Sequence, residues 1–154
     1  MGLDNWFMLK TEKSSDEDQS EEKYTYKGLS YGGEELPSPS FQSSIIGGGY
    51  FRGKFWSELF DILLDTDGSC YEQEVDHDTL KQWANDLSRV RLRMLEDEGE
   101  VLWEKWRNEY ISEGRGGGVN YGWASEFSYE DAISVCMAVE WYAQQEDVVL
   151  VGWW

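Results

Sequence analysis

Residues 54–64 read KFWSELFDILL. This run is apolar on most sides, and a helix with no polar face belongs in the middle of a domain rather than on its surface. Working outward, three more helices follow on its C-terminal side. From Asp78 to Glu96, Leu80, Trp83, Ala84, Leu87, Val90, Met94 and Leu95 keep helical spacing, with Asp76 or Asp78 placed to cap the start. Glu98 to Ile111 repeats the pattern through Leu102, Trp103, Trp106 and Tyr110, after a break at Gly99 or the acidic run 96–98. The last helix opens at Ser128, with Asp131 three residues on in a capping-box relation, and runs to about Gln145.

On the N-terminal side, residues 3–10 (LDNWFMLK) are strand-like, and 24–31 (YTYKGLSY) alternate as a strand interrupted at Gly28. Between them, 11–23 form an acidic stretch with no hydrophobe, an exposed loop or hairpin tip with freedom to move. Residues 32–49, rich in Gly, Ser and Pro, read as irregular, and 148–154 (VVLVGWW) as a terminal strand packed on the N-terminal ones. The expectation is an α+β fold in a single domain over 1–154. About four helices pack on a small antiparallel sheet formed by N-terminal strands and the C-terminal strand.

Composition supports a folded chain: 40% of residues are hydrophobic and 16% aromatic, with nine Trp and nine Tyr. Each buried aromatic removes a large area from water. Charge is lopsided, 31 Asp plus Glu against 13 Lys plus Arg, a formal net of −18. Such a field repels phosphate backbones and anionic lipid, which argues against direct nucleic-acid or membrane binding and favours basic protein surfaces. No apolar run approaches the roughly 20 residues that span a bilayer. With no signal-peptide pattern, and Cys70 and Cys136 as its only cysteines, the chain reads as cytoplasmic with reduced thiols.

Two glycine loops carry the most specific pattern. Gly48-Gly49-Tyr50-Phe51-Arg52-Gly53-Lys54-Phe55 matches the phosphate-loop spacing, but Phe55 stands where Ser or Thr should hold magnesium, which argues against nucleotide hydrolysis. Backbone N–H groups with Arg52 and Lys54 would still suit an anion. The second loop, 114–118, carries Arg115 and is followed by Tyr121 and Trp123. Brought together, Gly48, Gly49, Tyr50, Arg52, Lys54, Arg115, Tyr121 and Trp123 would bind a planar, phosphate-bearing molecule. The competing reading is two connecting turns. A third feature is the acidic run from Glu58 to Asp78, in which Asp65, Asp67, Glu72 and Glu74 offer a patch to a basic partner. Its spacing partly fits a calcium loop, yet Leu63 occupies the first ligand position and cannot coordinate. His77 is the only histidine, which excludes a two-imidazole zinc site within one chain. No cofactor or metal is implied.

The opening MGLDNWF, the segment FRGKFWSELFDILL and the ending LVGWW resemble, from end to end, a family of small uncharacterised bacterial and phage proteins. The resemblance implies that Arg52-Gly53-Lys54 belongs to a common pattern and that residues 65–78 need not be a calcium loop; it brings no activity. Besides an enzyme of unrecognised type that uses carboxylates, which ranks third, two functions compete. One is a non-catalytic, phage-type protein that sequesters a nucleotide-like phosphorylated small molecule between the two Gly/Arg loops. The other is an acidic inhibitor or immunity-like protein on the basic surface of a nucleic-acid-binding enzyme.

Overall fold

In the computed structural model the described residues are 4–12, 23–65, 74–114 and 124–153, with the side chains of Lys54 and Trp153 excepted. Strand β1 (Asp4–Glu12) alternates between two faces: Phe7 points to the helices, while Trp6 and Met8 point away from them. Helix-facing Phe7 is fully buried and stacks on Tyr142 at 4.0 Å and 8°. Strand β5 (Val148–Trp153) covers one edge of β1 with antiparallel register from Asp4↔Trp153 to Leu9↔Val148. The other edge is shared by two short strands, β2 (Tyr24–Gly28) opposite Met8–Glu12 and β3 (Tyr50–Arg52) opposite Asp4–Trp6. A two-residue strand, β4 (Glu74–Val75), closes the sheet on the far side of β5.

The handover from β2 to β3 takes place at Phe7, whose N–H donates to Gly49 O (2.9 Å) and whose carbonyl accepts from Leu29 N (3.0 Å). Gly49 has φ +78, and a Cβ there would lie 2.5 Å from Phe7 O and 2.6 Å from Leu29 O. Only glycine fits a positive φ with backbone on both sides.

Helices α1 (Pro39–Ile45), α2 (Gly53–Leu64), α3 (His77–Leu95), α4 (Gly99–Glu113) and α5 (Tyr129–Gln144) belong to the same core. This is the expected α+β domain, with five α-helices among the described residues. The extra one is α1, in the segment expected to be irregular. Ser38 caps it, Pro39 starts it, and Phe41 and Ile45 bury one face. Ser38 also fixes α1 to α5, donating its N–H to Ser134 Oγ (2.7 Å) and its hydroxyl to Asp131 Oδ1 (2.6 Å).

α2 is the central helix, buried at every position from Trp56 to Leu63, polar Ser57, Glu58 and Asp61 included. The caps of α3 and α5 form as the sequence predicts: Asp76 accepts from Thr79 N, and Ser128 and Asp131 make a reciprocal capping box. Cys136 is buried on α5. β1 runs two residues past the predicted strand into the expected loop, and residues 13–22 of that loop lie outside the described residues. Among the described residues no helix is long and apolar enough to cross a membrane.

Gly49→Ala should destabilise the domain by about 2–4 kcal/mol, combining left-handed strain with two backbone clashes. Gly48→Ala, at φ +91 with open space around it, should cost only about 1–2 kcal/mol of that strain. Urea unfolding of both variants tests the ordering; equal losses would mean that Gly49 is not the junction described.

Candidate functional site

The first glycine loop is a structural turn. Its amides are taken internally: Gly47 N by Ser44 O (3.3 Å), Gly48 N by Ser30 Oγ (3.2 Å) and Gly49 N by Ile45 O (2.8 Å). An anion cradle needs N–H groups without such partners, and Gly47, Gly48 and Gly49 spend theirs within the fold. Tyr50 donates its hydroxyl to Asp4 Oδ1 (2.8 Å) and packs on Trp6 at 5.2 Å. Arg52 is exposed at the N-cap of α2, and Lys54 is that helix's second residue. Arg115, Tyr121 and Trp123 lie outside the described residues.

The acidic run divides. Glu58 and Asp61 enter the core, and neither is without a partner. Leu63, at the expected first calcium position, is a core residue of α2, and Asp65 ends that helix with φ 54. Asp67 and Glu72 lie outside the described residues. Glu74 sits in β4 rather than in a loop. Among the described residues no group of three His, Cys, Asp or Glu side chains is arranged to hold a metal ion.

Glu74 leads to the most organised polar site, on the sheet face opposite the helices. Lys10 lies directly across β1–β2 from Tyr26, so both side chains share this face. Lys10 and Glu74 reach toward each other across β5 and meet at Nζ–Oε2 2.8 Å, while the Tyr26 hydroxyl donates to Glu74 Oε1 at 2.9 Å. The Lys10 ammonium stands 4.4 Å from the Tyr24 ring centre and 5.8 Å from that of Tyr26. Two rings and a carboxylate thus surround one ammonium, which combines cation–π attraction with a charged hydrogen bond. The bond to Glu74 raises the Lys10 pKa against the opposing effect of burial. Burial first, then the bond to Glu74, raises that of Tyr26.

Beside this cage a hollow of about 290 Å³ is lined by Lys10, Glu74, Asp76, His77, Asp78, Asp147 and Val149. His77 opens α3 and donates Nδ1–H to Val148 O at 2.8 Å, since a carbonyl can only accept; that leaves Nε2 as the other ring nitrogen. The Thr79 amide holds the Asp76 carboxyl below the usual carboxylate range. Asp76, Asp78 and Asp147 are exposed and make no ion pair among the described residues. Tyr24 and Tyr26 are 42% and 41% exposed, unusual for large rings on a sheet face.

The other end of α3 lies about 28 Å away at the α-helical rise and carries a second acidic surface. Glu96, Asp97, Glu98 and Glu100 are exposed around the α3–α4 turn, beside exposed Leu92, Leu95 and Val101. The sequence shows this acidic run, but nothing in it separates helix capping from partner binding. The cage residues come from three strands and were not grouped by any sequence motif.

Tyr26 has a higher pKa folded than unfolded, so the folded state keeps its proton longer, and this contribution to stability is lost as pH rises through the folded value. Tyr26→Phe should therefore reduce the fall in stability above about pH 10, the ordinary tyrosine range. Denaturant unfolding as a function of pH checks this, and an unchanged alkaline slope would contradict the Tyr26–Glu74 contact. No protein-family model, curated protein or solved structure matches the chain.

Proposed function

We propose that this chain is a non-catalytic binding protein for a basic protein surface, docking through the face made by β2, β4 and the start of α3. One observation carries the reading. Glu74, Asp76, Asp78 and Asp147 surround a single hollow beside exposed Tyr24 and Tyr26, and three of those four carboxylates make no ion pair among the described residues. Tyrosine is enriched among residues that dominate binding energy. Carboxylates around it supply long-range attraction to lysine and arginine. The net charge of −18 extends that attraction over the whole molecule. Enzymes that grip nucleic-acid phosphates present complementary surfaces, so an inhibitor or immunity-like role toward such an enzyme is the form this function takes. The small-ligand reading loses support because the first glycine loop spends its amides on its own fold.

The test uses the purified chain, immobilised and exposed to extract from cells that express it, at low and at raised salt. A nucleic-acid-binding enzyme should be retained at low salt only, and should be inhibited when purified and mixed with the chain. Changing Asp76, Asp78 and Asp147 together to Asn should slow association by about tenfold, with a smaller effect on dissociation, because long-range charge mainly sets the on-rate. Asn keeps the capping function at position 76, so the fold should survive. Wild-type association by the triple variant would overturn the reading. So would a co-purifying nucleotide found by native mass spectrometry with no basic protein retained.

A further inference from the structure

We propose that Tyr24, Tyr26 and Glu74 form a recognition cage for a lysine ammonium of the partner, and that Lys10 is its resident, displaceable occupant. The inference rests on the docking reading above and names the chemistry at its centre. The cage already holds an ammonium. Nζ of Lys10 lies 2.8 Å from Glu74 Oε2, 4.4 Å from the Tyr24 ring and 5.8 Å from the Tyr26 ring. Tyr26 donates to the second Glu74 oxygen at 2.9 Å, which fixes the carboxylate so that one oxygen faces the cation.

The ordinary reading of such a set is a cross-strand contact that steadies a sheet edge. Three features go beyond that. Both rings remain about two-fifths exposed, so the cage is open to solvent. Among the described residues β2 lies at an edge of the sheet and pairs only with β1, so its outer side carries no further strand there. The hollow beside the cage places Asp76, Asp78 and Asp147 where a lysine-bearing segment would bring further positive charge. Lys10 reaches the cage through a flexible four-carbon stem whose charge is compact and strongly hydrated, so it can leave for water when another ammonium enters. The exchange breaks and makes like contacts, and the partner's net gain comes from its other charges meeting the neighbouring carboxylates.

The experiment compares two substitutions that remove the same unit of charge. Lys10→Met keeps an apolar stem over the rings and vacates the cage, whereas Lys27→Met removes an exposed charge on β2 whose side chain points to the opposite face from Tyr26. The probe is an eight-residue lysine peptide, titrated by calorimetry at low salt. Lys10→Met should bind it at least threefold more tightly than Lys27→Met, and adding Tyr24→Ala to Lys10→Met should abolish that gain. A second measurement does not depend on affinity: in Lys10→Met, nuclear Overhauser contacts should appear between the peptide's ε-methylene protons and the ring of Tyr24. Equal affinities for the two Met variants, or the absence of those contacts while the peptide binds, would overturn the cage. If wild type binds the peptide and the triple Asn variant does not, the docking face stands whatever Lys10 does. If neither binding nor its loss in the triple Asn variant is seen, the docking reading itself fails.

Discussion

Phe7 joins the parts of this fold that are farthest apart in sequence. Its N–H and carbonyl go to Gly49 and Leu29, its strand neighbours on β5 lie more than 140 positions away, and its ring stacks on Tyr142 of α5. A central strand must satisfy hydrogen bonds along both edges, and an orphaned buried amide costs about as much as one lost bond. β1 meets that demand by borrowing two short strands for one edge. The junction between them requires glycine, and the loop that looks like a phosphate cradle spends the amides of Gly47, Gly48 and Gly49 on the fold. The Tyr142 hydroxyl adds a lock by donating to Leu29 O at 2.7 Å, so one carbonyl region ties helix, junction and strand together.

Among the described residues the helices pack on one face of the sheet, and the polar site lies on the other. Helix-facing positions are filled by Phe7, Val148 and Leu150, and the opposite face carries Met8, Val149 and Val151, also nearly buried. Apolar side chains on that face gain from shelter from water. The long side chains of Lys10 and Glu74 meet above β5, with Val149 lining the hollow next to them. Aliphatic stems can cover apolar surface while their charged ends stay wet. The cage therefore has a structural role of its own, and its exposed tyrosine side is the part that the proposed recognition would use.

Elements with strong local signals were legible in the sequence. α3 and α5 announce themselves through helical spacing and side-chain caps, and β5 through a β-branched run. α1 was hidden because Ser and Gly dominate its surroundings; its signal, Ser38-Pro39 followed by Phe41 and Ile45, is a cap, a first-turn proline and one i, i+4 pair. β4 has only two residues and exists because β5 offers an edge, which no local propensity encodes. The acidic run from Glu58 to Asp78 does not show in sequence which of its carboxylates face solvent: Glu58 and Asp61 of α2 are enclosed in the core. Of the candidate site, Glu74 stands out in sequence for its charge, and the Tyr24/Tyr26 alternation signals only a strand. Their meeting with Lys10 depends on a contact 64 positions apart.

The position of Lys10 also bears on how an acidic protein can be selective. A net charge of −18 attracts every basic surface alike, and attraction of that kind falls away within about 8–10 Å at physiological salt. Discrimination has to come from contacts at short range, where geometry matters. An ammonium held between two rings and a fixed carboxylate is such a contact, and filling it internally raises the threshold that any incoming cation must exceed. A lone solvated lysine gains little by replacing Lys10, since it exchanges one equivalent pairing for another. A segment that also brings charge to Asp76, Asp78 and Asp147 gains at every one of them. On the proposed docking reading, the internal lysine would convert a general field into a requirement for several correctly spaced cations at once.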